Sequence, residues 1–469
     1  MKKISDIWEK FIKDFNKFIE STKFSGLIIA FITFVVVFFL SFSHIYKVFE
    51  LKLFDFRFML KPSVSEWNRL TFVDIDENSI TALGKFPWPR NEYVKGLNAM
   101  KQLGVSQVAF DIMFPDHSPK QVNRKKYSNL LSLGKQIGVV PADEMKGLII
   151  DNDKIFSKSV KHNGKIILSY TFGPEPLHPD LKQRYMSKRY QNAIARFNKI
   201  ASIRISKDKF KYYAPLTDNE TKSLTYPIPE LMETAKSFGF VNRFTDIDGT
   251  VRQVKLVRFF KGRIYFNLSL AMVIDVCNVS KKNIEIIPGD KIILKKAFDP
   301  LRQVFRDIKI PINEAGMIYI DWAGPGPREK SFHIIPFYAL IEYGAWAADV
   351  HKFFNSSEEK GGKFLRTQTL GMLSDVIKKY SKATDKNRLV LWKKIVSLRK
   401  KLTKIHKGYL AQFNKEADSL GKKAKKLKDN YLLRQYEVLK NDAKAISLVI
   451  KLEDELTDKV VITGLTATG

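Results

Sequence analysis

The sequence predicts an α/β protein with a mostly parallel central sheet and flanking helices, preceded by one transmembrane helix and carrying a long lysine-rich helical insertion. Three observations predict it: an uncharged apolar run near the start, short apolar runs alternating with amphipathic segments, and a basic stretch without proline near the end. Apolar strands separated by helices are typical of a parallel sheet that is covered on both faces.

The first element is the apolar run between Lys23 and Lys47, which contains no Asp, Glu, Lys or Arg. At a rise of ~1.5 Å per residue, a helix of this length crosses the ~30 Å core of a bilayer. The run is too long for a cleaved signal peptide and lacks an A-x-A cleavage site. Because lysines occupy positions 2, 3, 10, 13 and 17, the positive-inside rule places the N-terminus in the cytoplasm. We therefore expect the bulk of the chain to be periplasmic or extracellular.

The sheet is predicted by buried strands that a helix separates. "TFVDID" (71–76) and "VAFDIMF" (108–114) flank the amphipathic "NEYVKGLNAMKQLG" (91–104), which ends at a glycine. Strand, helix and strand with short connections form a βαβ unit and therefore a parallel pair. "GKIILSYTF" (164–172) and "DKVVITGL" (458–465) predict further buried strands of the same kind.

The charge of the chain is strongly basic, with 80 Lys+Arg against 49 Asp+Glu and a net charge of +31. Residues 351–459 contain 27 basic and 13 acidic residues, a net of +14, with apolar residues at helical spacing. We expect a long helical hairpin or coiled coil there, whose lysines form either a solvated face or a surface for anionic lipid or another polyanion. The predicted segments are a cytoplasmic N-terminus (1–23), a transmembrane helix (24–46), an extracytoplasmic α/β domain (47–350), the lysine-rich hairpin (351–457) and a returning strand (458–469).

The candidate site lies at the carboxyl ends of the predicted strands, where open parallel sheets bind ligands. Asp76 follows the first strand, and Asp111 and Asp116 lie in and after the second. Trp88 and Arg90, from "PWPR" between the strands, add a flat apolar surface and a fixed cation. Together these five residues could hold a sugar, an amine or a divalent cation.

Two alternatives for these residues stay open. Arg90 could pair with Asp76 or Asp111 only to neutralise carboxylates at the rim of the sheet, while Trp88 fills the core. The carboxylates could also belong to a membrane-anchored hydrolase acting on carbohydrate, since glycoside hydrolysis uses two carboxylates at a set separation.

Other enzyme and metal motifs have no support in the sequence. It contains no H-E-x-x-H, G-x-S-x-G or P-loop motif, and the single cysteine, Cys277, excludes an internal disulfide framework. "DIDG" (246–249) begins like a calcium loop but lacks the glutamate at its twelfth position, so we expect a hairpin turn between two strands. "GPGPRE" (324–329) is also expected to be a turn. We predict no metal, no cofactor and no catalytic residue in this chain.

Six stretches in order resemble the second-type CHASE domain, the extracytoplasmic sensory domain of bacterial cyclases and kinases. They are "LKLFDFRFML", "VDIDENSI", "GKFPWPRNEY", "VAFDIMFPD", "GFVNRFTDIDGTVRQV" and "DKVVITGLTATG". The resemblance extends from about residue 48 to the last residue. The lysine-rich segment is larger than the family pattern needs.

The resemblance implies a sensor module in the cell inner membrane with an unknown small ligand, for which we also expect a homodimer. It implies a cytoplasmic output domain outside this chain, an adenylate/guanylate cyclase or a protein kinase, because the family pattern continues beyond "ITGLTATG". An extracytoplasmic location also makes nucleic acid an unexpected partner.

Overall fold

The computed structural model describes residues 2–19, 22–62, 67–137, 142–218, 220–322, 332–356, 385–427, 430–457 and 459–465, with a few residues between 369 and 379. The turn predicted at 324–329 lies outside these residues. The chain divides into two compact units, of which the first comprises 1–65, 245–252 and 320–327, and the second comprises 66–244, 253–319 and 328–469.

The first unit begins with three helices: α1 (Lys2–Ile19), α2 (Thr22–Ser41) and α3 (His44–Leu60). The apolar side chains of α2 and α3 are largely exposed, among them Phe31, Phe34, Phe39, Phe49 and Leu60. Exposed apolar surface of this extent is unusual in water and indicates an apolar environment or a partner for these helices.

The single transmembrane helix predicted over 24–46 is not confirmed. Among the described residues no single helix passes as a membrane span, although Gly26–Ser41 and His44–Leu60 pass together as a pair bent by 87°. The break has a local cause, because the Ser43 hydroxyl accepts a hydrogen bond from the Tyr46 amide at 3.2 Å and caps a new helix. The prediction of one continuous helix overlooked this serine within an otherwise apolar run.

The second unit contains the strands and the other helices. The strands are β1 (Leu70–Ile75), β2 (Gln107–Phe110), β3 (Gln121–Val122), β4 (Ile149–Ile150), β5 (Ile166–Gly173), β6 (Ser202–Arg204), β7 (Ser223–Thr225), β8 (Ser237–Phe240), β9 (Gln253–Lys255), β10 (Val257–Phe260), β11 (Arg263–Phe266), β12 (Ile284–Ile287), β13 (Lys291–Asp299), β14 (Val304–Pro311), β15 (Met317–Tyr319), β16 (Ile334–Pro336) and β17 (Val460–Leu465). The helices are α4 (Glu77–Leu83), α5 (Arg90–Gln102), α6 (Arg124–Ile137), α7 (Asn152–Asn163), α8 (Pro179–Met186), α9 (Lys188–Ala201), α10 (Phe210–Tyr213), α11 (Pro229–Met232), α12 (Leu268–Val276), α13 (Phe337–Ser356), α14 (Asp385–Leu427) and α15 (Asn430–Leu456).

The central sheet confirms the predicted α/β class with a mostly parallel sheet. Its strand order is β16-β1-β17-β2-β5-β7, and β8 also pairs with β5. All neighbours in it are parallel except β5 and β7. The last strand of the chain, β17, therefore lies between β1 and β2. β2 is buried at every position, as expected for a strand covered on both faces.

Each face of the sheet packs into its own cluster of apolar residues. One face contributes Val73, Val108, Phe110 and Val461 to a cluster shared with α5, α7, α9, α13, α14 and α15. The other face contributes Ala109, Ile167 and Val460 to a cluster shared with α12 and the smaller sheets. The alternation follows from the period of two residues in a strand.

Two long helices, α14 and α15, lie within the range predicted to be a lysine-rich hairpin. They pack closely: a Cβ added at Gly421 would lie 2.8 Å from the Tyr436 ring, so a larger residue there would require the ring to move. His406 is buried, with Nδ1 2.9 Å from Glu453 Oε2. Val449 and Leu456 of α15 are fully buried in the main core, so this helix covers the sheet.

The hairpin predicted around "DIDG" is only partly correct. A tight turn exists, with the Gly249 amide donating to the Asp246 carbonyl at 2.8 Å and Gly249 at φ +78°. The flanking strands β8 and β9 do not pair with each other, since β8 pairs with β5 and β9 with β15. The turn therefore connects two separate sheets.

Candidate functional site

Three adjacent parallel strands end at the predicted site. β1, β17 and β2 run side by side, with Asp74 opposite Gly464 and Thr463 opposite Phe110. The Asp111 amide extends this pairing by donating to the Thr463 carbonyl at 2.8 Å. The carboxyl ends of parallel strands thus place Asp111 at the edge of the sheet, where ligands bind in this fold class.

Asp111 is exposed, and no described side chain pairs with its carboxylate. Protein atoms around the carboxyl displace water and raise its pKa above the usual range, because the charged form loses solvation. A Cβ on Gly464 would lie 3.6 Å from the Asp111 Cβ, so the neighbouring strand adds no side chain there. Within the described part of the chain, the Asp111 carboxylate therefore makes no ion pair.

Asp76 has a structural task at the start of α4. Its Oδ1 accepts from the Ser79 amide at 2.8 Å and from the Ser79 hydroxyl at 2.6 Å. The carboxylate satisfies amides that a helix start leaves without partners and lies at the positive end of the helix dipole. This cap accounts for an aspartate at the end of β1.

Trp88 and Arg90 lie inside the protein. Trp88 is 5% exposed, donates from Nε1 to the Gly84 carbonyl at 2.7 Å, and packs against Phe337 with ring centroids 5.4 Å apart. Arg90, also 5% exposed, pairs with Asp153 and lies over the Phe114 ring. Burial lowers the pKa of the guanidinium, and Asp153 opposes that shift.

The partner of Arg90 is Asp153 at the start of α7, and not Asp76 or Asp111. Asp153 is 4% exposed and also accepts from the Ser118 amide at 3.1 Å, with its Oδ2 2.8 Å from His117 Nδ1. Arg90 donates in addition to the Asp116 carbonyl. This cluster pins the loop after β2 to α5 and α7.

Asp116 joins the cluster through its backbone only. Its carboxylate is exposed and accepts from Arg184 Nη1 of α8 at 3.0 Å, which raises the pKa of Arg184. The structure therefore brings Arg90 and the Asp116 backbone together, while Trp88, Asp76 and Asp111 each have separate surroundings. The ligand-binding role of all five stays a prediction.

The first unit contains a second polar cluster, centred on Arg252. Its side chain, 1% exposed, donates from Nε and Nη2 to the two oxygens of Asp55 on α3, each at 2.7 Å. It also donates to Asp248 at 2.7 and 2.8 Å and to Asp246 at 2.9 Å. Lys52 Nζ lies 3.3 Å from Asp248. Three carboxylates and two cations thus join α3 to the turn at 246–252.

A metal site and a ligand cavity are the other features that could mark a functional centre. Among the residues that the structure describes, no group of three His, Cys, Asp or Glu side chains could hold a metal ion. A cavity of about 700 Å³ beside β13 and β14 is lined by residues including Lys296, Phe305 and Asp307. It is lined by none of the five predicted site residues.

The family model of the CHASE2 domain matches residues 29–469. The chain belongs to the CHASE2 family. This confirms the resemblance drawn from the six sequence stretches, and CHASE2 domains are extracytoplasmic sensory domains of membrane receptors. No curated protein and no solved structure matched the chain.

Sequence reasoning missed Asp153 as the partner of Arg90 and missed the Arg252 cluster of this CHASE2 domain. Asp153 follows "LII" within "DND", where acidic residues at a helix start were the available signal. Arg252 lies four residues after Asp248 in a turn already singled out for its aspartates. Its third partner, Asp55, is 197 residues away in sequence, and no local pattern links the two.

Proposed function

We propose that this chain is the sensor module of a bacterial transmembrane receptor that controls a cytoplasmic adenylate/guanylate cyclase or a protein kinase. In this proposal α2 and α3 anchor the chain in the cell inner membrane, and the bulk of the chain is periplasmic or extracellular. The family match supports the sensory role. The output domain follows from the family resemblance alone.

The proposed ligand site is the sheet edge at Asp111. The observation that carries it is a carboxylate whose pKa is raised and which no described side chain neutralises. A cationic amine, a divalent cation or a sugar hydroxyl would each stabilise the charged form of this group. Asp116, in the loop that Arg90 pins, is the second candidate contact.

The geometry of the carboxylates supports the hydrolase alternative less than it supports ligand binding. Glycoside hydrolysis needs two available carboxylates across the scissile bond. Asp76 is engaged as a helix cap, and Asp116 is paired with Arg184. The arrangement therefore favours binding by Asp111 over catalysis by a carboxylate pair.

The Arg252 cluster is our proposed route for the signal. It ties α3, the helix that follows the apolar α2, to the turn that immediately precedes β9. A buried network with several fixed partners has few intermediate arrangements, so it can act as a two-state element.

We also propose a homodimer, which light scattering of the detergent-solubilised chain would test.

The ligand site is tested by thermal-shift screening of the whole chain in detergent against amines, sugars and divalent cations. We expect at least one class to raise Tm, and we expect Asp111→Asn to abolish that shift. Asp180→Asn, which removes an exposed carboxylate on α8, is the matched control. A shift that survives both Asp111→Asn and Asp116→Asn would overturn the proposed site.

The output is tested separately with the receptor in native membranes. Cyclic nucleotide production that changes with the same compound would support the cyclase. Production of neither cyclic nucleotide nor phosphoprotein would contradict the receptor proposal. Release of reducing sugar that Asp111→Asn abolishes would favour the hydrolase instead.

A further inference from the structure

Helix α14 carries most of the basic excess of the C-terminal region. Within Asp385–Leu427 there are 14 Lys+Arg and 3 Asp+Glu, a net charge of +11. Its neighbour α15 has 4 basic and 5 acidic residues, a net of −1. The two helices are paired, yet only one of them is strongly charged.

The charges of α14 are sorted by face. One side is buried against α15 and the core through Leu398, Tyr409, Phe413 and Ala417. At about 3.6 residues per turn, the opposite side is the one that carries the regularly spaced lysines. These exposed lysines, called here the lysine face, are Lys400, Lys404, Lys407, Lys415, Lys422 and Lys426.

The lysine face is energetically unfavourable for a helix that faces only water. Lys400 and Lys404 are four residues apart, as are Lys422 and Lys426, and like charges at this spacing destabilise a helix. Among the ion pairs of described residues, this face takes part in one: Lys407, at the margin of the face, pairs with Asp454 of α15 at 3.1 Å. Solvated helices usually mix charges of both signs. The exposed Asp418 lies on this face within about one turn of Lys415 and Lys422, so six lysines stand against one described acid. This excess of positive charge indicates an anionic partner.

We propose that the lysine face docks on anionic phospholipid headgroups. From Lys400 to Lys426 it extends about 39 Å at a rise of ~1.5 Å per residue, which suits an extended anionic surface and exceeds any small ligand. The exposed apolar side chains of α2 and α3 supply a membrane anchor in the same chain. Tethering raises the effective concentration of lipid around α14, so weak contacts per lysine are sufficient.

The experiment uses the whole chain in nanodiscs of phosphatidylcholine alone or mixed with phosphatidylglycerol. Lysine acetylation by a water-soluble reagent is read by mass spectrometry. We expect the lysine face to react about fivefold more slowly with phosphatidylglycerol present, and the protection to disappear at high salt because the contacts are screened. Exposed lysines elsewhere, such as Lys282 and Lys309, serve as internal references.

Two fourfold variants make the test specific. Lys400→Gln, Lys404→Gln, Lys422→Gln and Lys426→Gln together should abolish protection of the remaining Lys407 and Lys415. Lys182→Gln, Lys188→Gln, Lys207→Gln and Lys211→Gln remove equal charge from exposed positions outside α14 and should leave protection intact. Equal reactivity in both lipids, or protection only by a soluble polyanion such as polyphosphate, would overturn the proposal. Neither result depends on which ligand or output domain the receptor uses.

Discussion

Arg252 shows how a single side chain can hold a helix and a turn together. It is 1% exposed and binds three carboxylates, of which Asp55 and Asp248 are each bound through both oxygens. The same contacts raise the pKa of Arg252 and hold the pKa of Asp248 well below its usual range. Without the guanidinium, the three carboxylates would face one another, and Lys52 would be the one described cation paired with them.

We therefore predict that Arg252→Gln lowers the free energy of unfolding of the first unit by on the order of 3 kcal/mol. The free energy of unfolding of Arg252→Lys should lie between those of Arg252→Gln and the native chain. Lysine keeps the positive charge, but an ammonium cannot bind two carboxylates bidentately. Asp55→Asn should cost less than Arg252→Gln, since it leaves Arg252 with two partners. Hydrogen exchange of residues 245–252 measures the effect, and equal exchange in Arg252→Gln and the native chain would contradict it.

Removal of the Asp111 charge should change stability in the opposite direction, because no described residue stabilises that charge. A carboxyl with a raised pKa binds its proton more tightly in the folded chain, so its contribution to stability falls as pH rises through the folded pKa. Asp111→Asn should then raise stability at pH ~7 by less than about 1 kcal/mol, since solvent screens an exposed group. The gain should vanish below pH ~4, where the unfolded carboxyl is also protonated. Urea unfolding at both pH values decides it: a loss of stability at neutral pH would reveal a hidden partner.

The loop after β2 is held mainly by a hydrogen bond to its backbone and only weakly by the Asp116 side chain. Arg90 reaches the Asp116 carbonyl, whereas the Asp116 carboxylate makes only an exposed bridge to Arg184. Asp153→Asn should thus cost about 3–5 kcal/mol, because Arg90 is left buried without its counter-charge. Asp116→Asn should cost under about 1 kcal/mol, as exposed bridges do. Equal losses in thermal unfolding of the two variants would show that the Asp116 side chain also holds the loop.

Elements with a strong local signal could be predicted from the sequence. β2 and β17 are apolar runs because both of their faces are covered. The strand predicted over 108–114 ends earlier, at Phe110, and this end places Asp111 at the edge of the sheet. Features that depend on a single polar residue could not be predicted in this way. The cap by Ser43 breaks an apolar run whose composition alone indicates a continuous helix, and the partner of Arg90 lies 63 residues away.

The order of strands in the sheet depends on contacts between distant parts of the chain, so local composition does not predict it. The buried runs predicted four strands of one sheet, and all four are in it. The position of β17 between β1 and β2 follows from contacts across nearly the whole chain, including the Ser106 amide to the Lys459 carbonyl at 2.8 Å. The hydrophobic pattern around a strand does not indicate which distant strand it pairs with.

The central place of β17 predicts how the second unit responds to truncation. A chain ending at Thr457 leaves facing edges of β1 and β2 unpaired and removes Val461, which is fully buried. Unpaired backbone groups inside a sheet and a lost core strand should together prevent folding. Deleting residues 2–19 is the control, because α1 belongs to the other unit. Limited proteolysis should leave a resistant core of the second unit in the α1 deletion and none in the truncated chain. A resistant core in the truncated chain would show that β1 and β2 can close the sheet without β17.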